Sequence, residues 1–196
     1  MCNRRLSTVL PYFIVALALA AAAAPARADI NPVLIDAVSR RSHGGASFDI
    51  ALPLTGNTGV ECRKTGGTAT LVLSFDQPVT GGTAAVSLGT GSVNGAPTFS
   101  ANQMTINLTG LIDRQMVSVT ASDVTSAAGG SLPSATVNLR FIEGDVNSSG
   151  QVTAADTTIC KSNAGQPVTG FNFRSDINRN SAPRSGLLAE PEQHSP

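Results

Sequence analysis

The stretch GDVNSSGQVTAAD, Gly144 to Asp156, spaces oxygen-bearing side chains with a regularity that is unexpected in a chain so poor in charge. Counted from Asp145, oxygens fall at the first, third, fifth, ninth and twelfth places, on Asp145, Asn147, Ser149, Thr153 and Asp156. The Gln151 main-chain carbonyl supplies the seventh place, Gly150 stands at the sixth and Val152 at the eighth. A hard cation such as Ca2+ takes about six to eight oxygen ligands, and a glycine at the sixth place permits the sharp reversal that wraps the chain around it. Thr153 is expected to act through water, and Val152 to fix the loop to the core. Two carboxylates predict an affinity on the order of micromolar to millimolar, suited to a calcium-rich extracellular space.

A second group of oxygens begins the same way in FRSDINRN, with Asp176, Asn178 and Asn180. It then departs: Ser181 stands where the glycine belongs, Pro183 where a β-branched residue belongs and Leu187 where the last carboxylate belongs. This degenerate second metal loop is expected to bind weakly or not at all. Between the two, TTICKSNAG reads as a helix, whereas TVNLRFIE before the first loop reads as a strand.

A calcium loop of the EF-hand type with aspartate at its twelfth place, no entering helix and a helix after it resembles a type I dockerin repeat, complete in the first copy and degenerate in the second. The resemblance implies a calcium-folded attachment module whose partner is a cohesin-type protein domain, often within a polysaccharide-degrading assembly. It also implies that the partner touches Ala154, Ala155, Lys161 and Ser162. The apolar side of the helix, Ile159 and Cys160, lacks a second helix to pack on and is expected to use Phe171, Phe173 or the preceding domain.

Other chemistries find little support. Serine-type catalysis needs a base beside the nucleophile and a group that orients the base. Only His43, in a glycine-flanked polar stretch, is placed to serve, and a turn or packing role suits it better. Hydrolysis of a sugar bond needs paired carboxylates. Asp49, Glu61, Asp76, Asp113 and Asp123 stand singly near turns, where capping or solvation is the ordinary role. Stacking on sugar rings needs exposed aromatic faces; the chain has no Trp, and its one Tyr, Tyr12, lies in the leader described next. Thirteen basic and thirteen acidic side chains cancel, which leaves no basic face for nucleic acid. The chain reads as non-catalytic.

The elements that must carry the loop are mostly strands. Residues 1–28 form a secretory signal helix: Arg4 and Arg5, an apolar run, then Ala26-Arg27-Ala28, which predicts a protein that starts at Asp29 and is secreted or held at the cell surface. After it, runs of period two alternate with turn clusters, as in an antiparallel sandwich. Leu71, Leu73 and Phe75 share one face, as do Met104, Ile106 and Leu108; Val117 and Val119; and Val137, Leu139 and Phe141. FDIALPLTG alternates through Phe48, Ile50 and Leu52 and ends at Pro53, as an edge strand does. Asn31 to Arg41 reads as a linker or an edge strand. TLVLSFDQPVTGG followed by MTINLTGLIDRQMVSVTASDVTSAAGG resembles the immunoglobulin-like domains of bacterial surface proteins. That likeness implies a scaffold.

The expected order is a signal peptide at 1–28, a linker at 29–35, an immunoglobulin-like β-sandwich at 36–141, a dockerin-like calcium module at 142–180 and a disordered tail at 181–196. Cys2 leaves with the signal; Cys62 and Cys160 remain, too few for a disulfide framework, with one bridge between them left open. Two other readings stand beside attachment: an adhesive or structural domain that a calcium loop stiffens, and the remnant of a secreted glycoside hydrolase.

Overall fold

The computed structural model describes residues 30–180; the expected signal helix at 1–28 and tail at 181–196 lie outside them. The chain is mainly β. It contains β1 Leu34–His43, β2 Ala46–Ala51, β3 Gly59–Glu61, β4 Ala69–Phe75, β5 Val79–Leu88, β6 Ser92–Val93, β7 Thr98–Ser100, β8 Gln103–Thr109, β9 Gln115–Ser126 and β10 Ser131–Phe141. One helix, α1 Ala154–Asn163, and a 3-10 turn, Phe173–Ser175, follow.

Two sheets enclose one core. The first runs β2-β1-β4-β8-β6 with β7 also on β8, and the second runs β3-β10-β9-β5. All pairings are antiparallel except that of β3 with β10, which is parallel, with Leu139, Arg140 and Phe141 opposite Gly59, Val60 and Glu61. The period-two residues fill the space between the sheets: Leu71, Leu73, Phe75, Met104, Ile106, Val117, Val119, Leu139 and Phe141 are fully enclosed. Burying side chains of this size contributes roughly 1.5–3 kcal/mol each, before the entropy of ordering the chain is subtracted.

The first strand corrects an expectation. Residues 34–43 form neither a linker nor an edge strand; β1 lies between β2 and β4. Its inward positions are Ala37, Ser39, Arg41 and His43, so three of the four carry polar groups and the strand shows no apolar alternation. β2 holds the edge instead, and Pro53 follows its end, where no ladder donor is needed.

Nor does the chain beyond Phe141 stand apart from the sheets. Ile142 N donates to the Glu61 carbonyl (3.1 Å), Gly144 N to the Cys62 carbonyl (2.8 Å) and Lys64 N to the Ile177 carbonyl (2.7 Å). A second apolar cluster joins Ile50 and Cys62 to Val146 and Cys160, with Ile159, Phe173 and Ile177 packed against it. The helix thus shares its apolar cluster with Phe173 and with Ile50 of β2, while Phe171 is wholly exposed.

Candidate metal centre

The first loop leaves β10 through Ile142–Gly144 and closes into α1. Asp145 and Asp156 are both fully buried. Asp145 Oδ1 accepts the Ser149 N–H (2.9 Å) and Oδ2 accepts the Gly150 N–H (2.7 Å). Asn147 Oδ1 also accepts from Ser149 N (2.9 Å), and the Ser149 hydroxyl donates to the Gln151 carbonyl (3.0 Å). These bonds tie the first, third, fifth and seventh places to one another. Gly150 has φ +89°, the left-handed turn expected of it.

Asp156 closes the ring from the helix. Thr153 is the N-cap of α1 and Asp156 its third residue, in a reciprocal capping box: the Thr153 side chain accepts from Ala155 N (3.3 Å), and Asp156 Oδ2 accepts from Thr153 N (2.8 Å) and its hydroxyl (3.0 Å). Asp156 Oδ1 takes the Asn147 N–H (3.2 Å), which ties the twelfth place to the third. Burial alone would raise the Asp156 carboxyl; the donors from Thr153 and Asn147 outweigh it and hold the group below its ordinary value. Its anionic form is the one the loop is built around.

Among the described residues neither Asp145 nor Asp156 forms an ion pair. Hydrogen-bond donors, not a counter-charge, hold the two enclosed carboxylates as anions, and a cation beside them would add the charge partner that the loop's own donors do not supply. The donor set fits one: two carboxylates, an amide oxygen, a hydroxyl and a main-chain carbonyl are hard ligands of the kind calcium takes. No three or more His, Cys, Asp or Glu that could hold a metal ion come together among the described residues, so any cation here would have to draw on neutral oxygens as well. Val152, expected to anchor the loop, is instead 37% exposed. It borders a groove of about 510 Å³ with Arg114, Met116, Arg140 and Ile142. Val146, at the second place, provides the anchor, inside the second cluster.

Ala154, Ala155, Lys161 and Ser162 are all exposed on α1. Residues seven apart on a helix share a face, so the pairs Ala154/Lys161 and Ala155/Ser162 line one open side.

The second loop begins as the first does. Asp176 Oδ1 accepts the Asn180 N–H (3.1 Å), and Arg179, in the fourth place, has φ +60°, as Ser148 does in the first loop. Asn178 and Asn180 are exposed. Asp176 is fully buried, but its Oδ2 meets His43 Nδ1 at 2.8 Å. Arg63 Nη1, which can only donate, lies 3.4 Å from His43 Nε2; the proton therefore sits on Nδ1 and goes to Asp176. Burial lowers the His43 pKa; the bond to Asp176 opposes this and the charge of Arg63 adds to it, with a net shift downward. The ring packs edge-on against Phe48 and Phe173.

Behind His43 lies a buried ionic group that the sequence did not reveal. Arg63 Nε and Nη2 meet Glu61 Oε1 and Oε2, each at 2.8 Å, and both residues are fully enclosed. Ser39 donates to Glu61, Arg41 Nε lies 3.7 Å from it, and Arg63 also reaches the carbonyls of Phe48 and Ser39. Burial by itself would raise the Glu61 carboxyl, but Arg63, Ser39 and Arg41 hold it below its ordinary range. Glu61 is thus not the solvated turn carboxylate expected of it. Of the other singly placed carboxylates, Asp76 accepts from Val33 N (2.8 Å) and Asp113 from Glu143 N (2.8 Å), each a main-chain group distant in sequence, and Asp49 pairs with Arg40 at the surface (2.7 Å). The available signal was the spacing of polar residues along β1 and the Glu-Cys-Arg run, two-residue periods written in polar side chains.

Cys62 and Cys160 are buried free thiols within the second cluster. Burial pushes the Cys62 thiol up to about 12, so it behaves as a small apolar residue.

No protein-family model matches the chain, and neither the curated proteins nor the solved structures include a significant match. Among the described residues no helix is long and apolar enough to cross a membrane.

Proposed function

We propose that this is a secreted, non-catalytic β-sandwich protein of immunoglobulin-like type whose first loop binds one calcium ion, and that calcium sets α1 for attachment to a cohesin-type protein. The observation that carries the reading is the pair of fully buried carboxylates, Asp145 and Asp156, in one hydrogen-bonded loop with no cationic side chain paired to them among the described residues. Calcium, when bound, supplies the positive charge that the loop's own donors do not. Asp145, Asn147, Ser149, the Gln151 carbonyl and Asp156 hold it, with Thr153 acting through water. Because Asp156 is also part of the α1 capping box, ordering the loop orders the helix start and the exposed side bearing Ala154, Ala155, Lys161 and Ser162.

The test is capture of the protein on immobilised cohesin domains in calcium and in EDTA. Retention in calcium that is lost in EDTA, and lost again in Ala155→Arg, is expected; no retention on any cohesin in calcium would remove attachment. A second reading, a loop that only stiffens the sandwich, draws on the hydrogen bonds and the shared apolar cluster that join residues 142–177 to β2, β3 and the segment after β3. In that case calcium raises thermal stability and no partner is captured.

A further inference from the structure

Arg174 belongs to the turn that precedes the second loop, yet its side chain spans the first. Nε donates to the Val146 carbonyl (2.9 Å), and Nη2 to the Ser148 hydroxyl (2.6 Å), with the Asp145 carbonyl at 3.4 Å and the Val60 carbonyl of β3 at 3.1 Å. One guanidinium therefore engages the first, second and fourth places of the calcium loop and a strand of the second sheet. It takes no oxygen from the ligand set, since each loop group it touches lies outside that set. The fourth place also carries the strain: Ser148 has φ +60°, a left-handed conformation that few residues other than glycine adopt unaided.

We propose that Arg174 is a positioning residue for the calcium loop, fixing the backbone from Asp145 to Ser148 in the turn that ties Asp145, Asn147 and Ser149 to one another. This rests on the calcium reading above. It gives the degenerate second repeat a role, in which its turn braces the first loop against the sandwich. The brace works against charge, because a guanidinium near a calcium site repels the ion. Geometry and charge thus predict opposite signs for its removal.

The experiment measures calcium affinity of the full-length protein by competition with a chromophoric chelator, together with the rise in unfolding temperature that calcium causes. Arg174→Ala and Arg174→Lys should each weaken binding about tenfold or more, as loss of a group that orients metal ligands does, and both should shrink the calcium-dependent rise. Lysine keeps the charge without the planar fork, so its failure to rescue marks geometry as the cause. Ser148→Ala removes one neutral hydrogen bond and should weaken binding about two- to fivefold; it carries the test if the arginine variants do not fold in EDTA. Unchanged or tighter binding in the variants, or an equal loss of stability with and without calcium, overturns the inference while leaving the calcium site standing. A wild-type chain that does not respond to calcium overturns both.

Discussion

In both loops an aspartate at the first place accepts the N–H of the fifth residue, and the fourth residue turns through a positive φ. In the first, the other carboxylate oxygen receives a main-chain N–H, from Gly150. In the second, it receives His43 from a strand 133 residues earlier. The same local turn therefore serves as a candidate cation site where a main-chain donor meets the second oxygen, and as a joint to the sandwich where a side chain of β1 does. One difference between the two is the partner of that second oxygen, a main-chain N–H in the first and a side chain of β1 in the second. The loop sequences also diverge, with Ser181, Pro183 and Leu187 where the first has Gly150, Val152 and Asp156.

Breaking the joint from behind should have the largest effect. Arg63 holds Glu61 through two hydrogen bonds and flanks His43, with nothing of it exposed. Arg63→Ala would leave a buried carboxylate without its main partner and should cost about 3–5 kcal/mol, read by urea denaturation of the full-length protein. A loss within experimental error of zero would mean that Glu61 is compensated by Arg41 alone.

A smaller effect separates the joint from the site by pH. The ordinary value for His43 is 6.5, and its native value is lower. As pH falls through about 6.5 the unfolded chain takes up a proton that the native chain refuses. Stability present above that pH is therefore lost on the way down to the native value, with a slope of up to about 1.4 kcal/mol per pH unit. His43→Asn, which keeps a donor toward Asp176 but does not titrate, should flatten the profile below about pH 6.5. A profile identical to that of the parent chain would show that other groups set the slope.

The sequence made the sandwich legible wherever apolar residues alternate. Leu71, Leu73 and Phe75, and likewise Met104, Ile106 and Leu108, lie inside the core as their period requires. The turn of the first loop was legible too, because the residues that shape it, Asp145, Gly150 and Asp156, stand in one short stretch. β1 was not, since its inward face is polar, and its burial makes sense only once Glu61 and Arg63 stand opposite. Val152 misled for a related reason: an apolar side chain at the eighth place has a wall to pack on only if the rest of the fold supplies one, and here it borders an open groove. Arg174 carries no local signature at all, because its partners are 26 to 29 residues away in the loop and 114 away in β3.

Everything proposed for α1 and for Arg174 depends on calcium binding by the first loop and by that loop alone. Titration calorimetry of the full-length protein decides the point. The expected result is a stoichiometry near one, an affinity on the order of micromolar to millimolar, and no binding heat in Asp145→Ala or Asp156→Ala while the β-sheet signal persists. Two equivalent sites, or unchanged heat in both variants, would contradict it.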